Sequence, residues 1–208
     1  MLEGYVKYLK FLDSKLSTFF ESQSPFIFCQ KGCAKCCKNA QFPYSATEMQ
    51  YLLNGLVTLD IKKQQKIEEN FKLILEKKKT FKGKKFLYDC PFLIDDVCSV
   101  YEYRGVLCRT FGLMTKYDTG KLKAPFCTFE GLNYSNVLNL SKRTVSVRKY
   151  KKLDTKKEPL GFNISYHYLT DPEFEKTFNF CFGDKKPLIQ SNSCLFCCLR
   201  QTPLLYVR

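Results

Sequence analysis

The sequence predicts a mostly α protein (α+β at most). We expect a single small domain of helices and irregular loops, organised around a cysteine metal cluster, with a few short strands. Two long segments have apolar residues at helical spacing, strand-like segments are short, and the cysteines gather in two blocks. With 208 residues, 45% of them hydrophobic, the chain can form one good core. We expect this domain to span residues 1–190, followed by a tail over residues 191–208.

Four segments carry helix signals. Ser45 and Glu48 have the spacing of a capping box, in which each side chain binds the other residue's backbone. Asp60 can cap a longer helix, and Asp171 followed by Pro172 is typical of a helix start. The apolar pattern supports these starts. We therefore expect helices over residues 2–21, 45–53, 61–79 and 172–180.

The remaining segments predict short strands and loops. Residues 143–152 and 161–169 are rich in β-branched and aromatic residues, which predicts two short strands. Residues 117–142 have the composition of a loop, and Asp95–Asp96 predicts a turn. No apolar run is long enough to cross a membrane, and the first residues do not resemble a signal peptide. We therefore expect a cytoplasmic protein.

The cysteines are the densest chemical feature. The first block has the spacing Cys-x3-Cys-x2-Cys-Cys, and such density exceeds what core packing needs. A disulfide cluster, a redox thiol set and a metal or iron–sulfur site are the alternatives. Because cytoplasmic thiols stay reduced, the last is favoured. The candidate metal ligands are Cys29, Cys33, Cys36, Cys37, Cys90, Cys98, Cys108 and Cys127.

The spacing also bears on the kind of metal. Thiolates are soft donors that select zinc or iron–sulfur clusters, and a tetrahedral metal needs four ligands. The second block has no Cys-x2-Cys knuckle, which weakens a zinc-ribbon interpretation. Side chains of the neighbours Cys36 and Cys37 diverge, so they would more easily bind different metal atoms. The alternatives are a 4Fe-4S type cluster or zinc, in one larger centre or two neighbouring sites.

Two arginines are weaker candidates for a role at the cysteine site. Arg104 and Arg109 flank Cys108 and can donate to cluster sulfurs or hold an anionic substrate. The alternative is that they neutralise the thiolates or pair with Glu102 and Asp95.

Several residues have no predicted role in the cluster. His167, the only histidine, is expected to be a packed or surface residue rather than a catalytic one. The tail thiols are expected to be accessory, and no role is predicted for a further cysteine in the domain. These four residues are Cys181, Cys194, Cys197 and Cys198.

The net charge of +14 raises the alternative of a basic, zinc-stabilised nucleic-acid-binding module. Two four-thiolate sites, each about −2, would lower this charge to about +10. The basic residues are 28 Lys and only 6 Arg, whereas base and phosphate recognition depends on the arginine fork. A solvated lysine-rich surface is the favoured interpretation, and nucleic acid is not an expected partner.

The cysteine blocks resemble a known family over about residues 26–130. Together with Ser45…Glu48, "CPFL…D…CSVYE-R" and "CR-F" at 108–111, they resemble the CxxCxxCC zinc- or iron-chelating proteins, also called YkgJ-like cysteine-cluster proteins. The resemblance implies metal chelation by the seven cysteines from Cys29 to Cys108, with Cys127 as an eighth ligand. The family usually has proline after the arginine of "Y-E-x-R-P", where this chain has Gly105.

A branch of that family offers an enzymatic alternative. Flagellin lysine N-methylases resemble this cysteine region, which would imply methyl transfer from S-adenosylmethionine to protein lysines. Cys29, Cys33 and Cys36 also have the spacing of radical S-adenosylmethionine enzymes. However, the sequence shows no strand–helix alternation of a barrel and no glycine-rich nucleotide loop. We favour a metal-binding role in sensing, storage, or transfer of metal or electrons, compatible with a protein partner; as an enzyme, it would be a methyltransferase or iron–sulfur oxidoreductase.

Overall fold

The computed structural model describes residues 2–30, 32–142, 144–153 and 161–190. Within this part the protein is mostly α, as predicted. Three long helices and four short ones account for the regular structure, and the strands are two or three residues long. The helices are α1 (Leu2–Ser22), α2 (Ala46–Val57), α3 (Ile61–Thr80), α4 (Val106–Thr110), α5 (Val147–Leu153), α6 (Tyr166–Leu169) and α7 (Pro172–Phe178).

The predicted helix starts are confirmed by their caps. The hydroxyl of Ser45 accepts from the Glu48 N–H at 3.2 Å, and the Glu48 carboxylate accepts from the Ser45 N–H at 2.8 Å. Asp60 accepts from the Lys63 N–H at 2.9 Å. The Asp171 side chain caps α7, with proline in its first turn. Local capping therefore fixes where these helices begin.

Two helix ends differ from the prediction. Helix α2 continues through Gly55 to Val57, because Gly55 lies against the ring of Tyr103, where a Cβ would be only 2.3 Å from the ring. Tertiary packing thus outweighs the helix-ending tendency of glycine. Helix α7 ends at Phe178, since Asn179 adopts the left-handed conformation with φ of 53°.

The strands form four antiparallel pairs. These are β1 (Pro43–Ser45) with β8 (Lys185–Pro187), β2 (Leu93–Ile94) with β3 (Val97–Cys98), β4 (Thr115–Lys116) with β5 (Leu122–Lys123), and β6 (Leu138–Asn139) with β7 (Thr144–Val145). Asp95 and Asp96 form the predicted turn between β2 and β3, both with positive φ. Residues 117–142 are largely irregular, as predicted, with short strands and 3₁₀ turns.

Of the two short strands predicted, the one at residues 143–152 is confirmed only at Thr144–Val145, and the one at residues 161–169 is wrong. In the first segment, helix α5 begins at Val147. The helical turn buries Tyr150, which stacks on Phe26 with ring centroids 4.2 Å apart. In the second segment an isolated bridge at Phe162 precedes helix α6. Aromatic packing, not strand pairing, therefore determines both segments.

Three apolar clusters hold these elements together. The first lies between α2, α3 and the 86–100 segment, the second packs α1 against residues 164–182, and the third is a small aromatic cluster around Phe26. Among the described residues, no helix is both long and apolar enough to cross a membrane. The tail predicted at residues 191–208 lies outside the described residues.

Candidate metal centre

The structure brings the predicted ligand residues together. Seven of the eight line one cavity of about 900 Å³: Cys29, Cys33, Cys36, Cys37, Cys90, Cys98 and Cys108. The eighth, Cys127, is buried in the 3₁₀ turn Phe126–Glu130, next to the turn that holds Cys36. The nine cysteines in the described part of the chain are all free thiols. Cysteines distant in sequence therefore converge on one region.

Local backbone turns aim the first block into the cavity. The Cys33 N–H donates to the Gln30 carbonyl and the Cys37 N–H to the Ala34 carbonyl, both at 2.9 Å. Gly32 allows the first turn, because its φ of 88° is strained for other residues. The side chains of Cys36 and Cys37 do not diverge as predicted, because the 3₁₀ turn Lys35–Cys37 places their sulfurs 3.9 Å apart. The loop thus packs its thiols closely.

The second block is held against the first by backbone hydrogen bonds. The Cys90 N–H donates to the Cys37 carbonyl at 2.7 Å, and Ala40 forms a β-bridge with Tyr88. The β2–β3 hairpin carries Cys98, and helix α4 carries Cys108. The positions of these cysteines therefore follow from the main chain.

Electrostatic coupling divides the thiols into two groups. The thiols of Cys33, Cys127 and Cys36 raise the pKa of the Cys29 thiol. The thiols of Cys36, Cys90 and Cys108 raise the pKa of the Cys37 thiol. We call Cys29, Cys33 and Cys127 the outer group, and Cys37, Cys90, Cys98 and Cys108 the inner group. Cys36 raises the pKa of Cys127 in the outer group and that of Cys98 in the inner group, so it lies between the two.

The residues fit a thiolate-bound metal by their chemistry, but they do not form a finished ligand set. Eight soft sulfur donors meet in a largely buried region, which suits zinc or iron. Within residues 2–30, 32–142, 144–153 and 161–190, no group of three or more Cys, His, Asp or Glu side chains is arranged to hold a metal ion. Binding would therefore require the thiols to move towards a common centre.

Burial keeps most of these thiols protonated. Desolvation raises the pKa of Cys108 to about 12 and that of Cys127 to about 11. Cys36 is the exception. A hydrogen bond from the Cys37 thiol, helped by the charge of Arg104, lowers the pKa of Cys36 to about 7. Cys36 is thus the thiol most ready to ionise.

Residues 28–128 match the family model CxxCxxCC, described as "Putative zinc- or iron-chelating domain". This segment of the chain is therefore similar to that family. The match spans both cysteine blocks and agrees with the resemblance seen in the sequence. Comparisons with curated proteins and with solved structures gave no match.

The two arginines near Cys108 have different roles. Arg109 is buried, pairs with Asp13 of α1, and donates to the carbonyls of Glu102 at 2.8 Å and Arg104 at 3.2 Å. Its carboxylate partner is therefore Asp13, not the predicted Glu102 or Asp95. Arg109 ties α1 to the segment before α4.

Arg104 faces the thiols instead. Its guanidinium lies 3.7 Å from the centre of the Tyr101 ring, and its charge lowers the pKa of Cys36. Its Nε is buried without a hydrogen-bond partner among the described residues. These observations support the predicted neutralising role of Arg104.

The sequence did not reveal a buried network beside the inner group. The Tyr44 hydroxyl lies 3.6 Å from the Cys108 sulfur. Glu48, besides capping α2, accepts from the Val106 N–H at 2.9 Å and from the Tyr166 hydroxyl at 2.6 Å. The capping box was the only signal for Glu48, and it cannot predict these long-range contacts. Glu48 thus fixes the start of α4, which carries Cys108.

The same network explains why Gly105 replaces the proline usual in the family. Its φ of −66° would suit proline. However, a Cβ at Gly105 would lie 2.7 Å from the Glu48 carboxylate and 2.9 Å from the Tyr44 ring. The close approach of these two buried side chains therefore requires glycine.

We expect Gly105→Ala to destabilise the protein by about 1–3 kcal/mol, because the methyl group overpacks a buried site. Urea denaturation of the variant and the wild-type protein measures this difference. Combining it with Glu48→Asp, which shortens the carboxylate, should reduce the added cost of the methyl group. A Gly105→Ala variant as stable as the wild-type protein would contradict the role given to this contact.

Metal binding should release protons. Thiols with a pKa of about 11 to 12 are protonated near neutral pH, and a metal binds the thiolates. The apparent zinc affinity should therefore rise about tenfold per pH unit for each such ligand, whereas Cys36 should add to this slope only below its pKa of about 7. Zinc competition titrations at several pH values, with proton release measured in weak buffer, test this. An affinity independent of pH would contradict it.

Proposed function

We propose that this chain binds iron or zinc through its clustered cysteine thiolates. One observation carries the proposal: seven cysteines from two separate blocks line the same cavity. We also propose that residues 1–190 act as a single domain in a reducing, cytoplasmic compartment. When bound, such a centre would supply redox chemistry as an iron–sulfur cluster, or structural cross-linking as zinc.

An iron–sulfur cluster of the 4Fe-4S type is the favoured form. The sulfurs of Cys36 and Cys37 lie 3.9 Å apart, and further thiols surround both, so the density exceeds the needs of one mononuclear site. Cys29 is exposed whereas Cys127 is buried, so the outer group connects the interior with the surface. This arrangement supports transfer of metal or electrons to a partner more than permanent storage.

Anaerobic purification followed by metal analysis and an absorption spectrum tests the proposal. Iron together with acid-labile sulfide, and a broad blue absorption band that bleaches in air, is the expected result. A colourless protein with stoichiometric zinc would support metal binding but overturn the iron–sulfur form. A purified chain that binds neither metal, even after reconstitution under reducing conditions, would overturn the proposed function.

S-adenosylmethionine-dependent methyl transfer is the second candidate. The cavity of about 900 Å³ lies at the upper end of the range typical of small-molecule sites, so it can hold more than a metal centre. Apolar residues such as Leu16 and Phe20 of α1 also line it. Adding S-adenosylmethionine to the reduced, metal-loaded protein should then change the spectrum or cleave the cofactor. No change and no binding would remove this candidate.

Nucleic-acid binding is less well supported. On helix α3 several lysines pair with glutamates of the same helix, including Lys72 with Glu68 at 2.8 Å and Lys79 with Glu76 at 2.6 Å. These pairs divide the basic surface instead of leaving a continuous row of free cations for phosphates. The observation favours the solvated lysine surface predicted from composition.

A further inference from the structure

A second groove lies behind the cysteine cavity. It measures about 610 Å³ and runs between helix α3 and residues 86–90. Leu73 and Leu87, which line it, remain 58% and 42% exposed. Charged and amide side chains, including Lys38 and Asp89, line the rest of it. The groove is therefore of mixed polarity, with two exposed leucines that an occupant could cover.

The groove and the cysteine cavity share a wall. Cys90 and Leu93 line both of them. An occupant of the groove would thus lie against the back of the inner group without entering the cavity itself.

The last described residues lead to this groove. The Leu188 N–H donates to the Phe42 carbonyl at 2.8 Å, and the turn Leu188–Gln190 packs against helix α3. Leu188 and Ile189 are buried in the same apolar cluster as Ile74 and Tyr88, both of which line the groove. The chain therefore reaches residue 190 beside the groove.

The sequence beyond residue 190 suits the groove. Residues 191–208 contain no acidic residue and include the apolar run "CLFCCL" at 194–199. Cys194, Cys197 and Cys198 repeat the Cys-x2-Cys-Cys spacing of Cys33 to Cys37. A chain of four residues spans about 13 Å and one of eight about 28 Å, so all three thiols are within reach of the groove.

We propose that residues 191–199 bind in the groove between α3 and residues 86–90. The apolar side chains of this segment cover Leu73 and Leu87. Its three thiols are thereby held behind Cys90, on the side of the inner group away from the cavity. This inference is independent of the proposed metal binding.

Site-resolved alkylation of the intact, full-length protein tests the inference. The probe is N-ethylmaleimide, and peptide mass spectrometry gives the rate for each cysteine. Cys194, Cys197 and Cys198 should react about tenfold more slowly than the exposed Cys181, because a bound segment reacts only when it opens. Leu73→Asp should raise the three rates towards that of Cys181. Leu73 is already exposed, so this variant should fold.

Leu140→Asp is the matched control, since Leu140 is 77% exposed and does not line the groove. It should leave the tail rates unchanged. Tail thiols that react as fast as Cys181 in the wild-type protein would overturn the inference, as would equal effects of the two variants. Protection that rises with protein concentration would identify a second copy as the occupant instead. Metal content, measured in parallel, distinguishes failure of this inference from failure of the proposed function.

Discussion

Cys36→Ala is expected to remove most of the bound metal and to lower the solubility of the protein. Cys36 lies between the outer and inner groups, contacts the Cys37 sulfur, and has the lowest pKa among the shifted thiols, about 7. Its loss would separate the two groups and remove the thiolate that forms most readily. Because metal binding supplies folding free energy to such sites, the metal-free variant should also be less compact. Metal per chain and the soluble fraction on expression measure both effects.

Cys194→Ala and Cys181→Ala are the controls for this prediction. Cys181 is exposed and does not line the cavity, and Cys194 belongs to the tail. Both variants should keep the wild-type metal content and solubility. If Cys194→Ala releases as much metal as Cys36→Ala, the tail thiols are ligands and their assignment as accessory thiols is wrong.

Glu48→Ala should destabilise the protein by about 3–5 kcal/mol, which is a large part of the stability of an ordinary domain. The Glu48 carboxylate is buried and accepts hydrogen bonds from Ser45, Val106 and Tyr166. Its removal would leave the buried N–H groups of Ser45 and Val106 without this acceptor and would release the start of α4. Urea denaturation under one fixed metal condition measures the loss.

Glu76→Ala is the matched control for Glu48→Ala. Glu76 also lies on a helix, but its side chain is exposed and pairs with Lys79 of the same helix. Exposed pairs of this kind contribute little, so this variant should unfold with the wild-type midpoint. Equal losses in the two variants would show that the buried network around Glu48 does not hold α4.

Local signals predicted much of the helical fold. Ser45, Asp60 and Asp171 act through contacts within one turn of the helix, so a short stretch of sequence is enough to recognise them. The helices that replace most of the strands predicted at residues 143–152 and 161–169 were missed, because aromatic residues there pack against distant partners. Tyr150 stacks on Phe26, more than a hundred residues away, and no local pattern contains that information.

The candidate site was likewise predicted only in part from the sequence. Cysteine density identified the residues that now line one cavity, since that density is visible in the sequence itself. The contacts that position them were not visible. The ion pair of Arg109 with Asp13 and the hydrogen bond of Glu48 to Val106 join segments about 60 to 100 residues apart. Spacing along the chain cannot predict such pairs.

The position of the cavity has a consequence for how the molecule unfolds. Its walls include Phe42 from the first apolar cluster, Leu16 from the second, and Ile27, which packs against the third. A metal centre bound there would connect the three apolar clusters to one another and close the long loop between the two cysteine blocks. Binding there would therefore make the opening of any one cluster depend on the other two, and unfolding would become more cooperative.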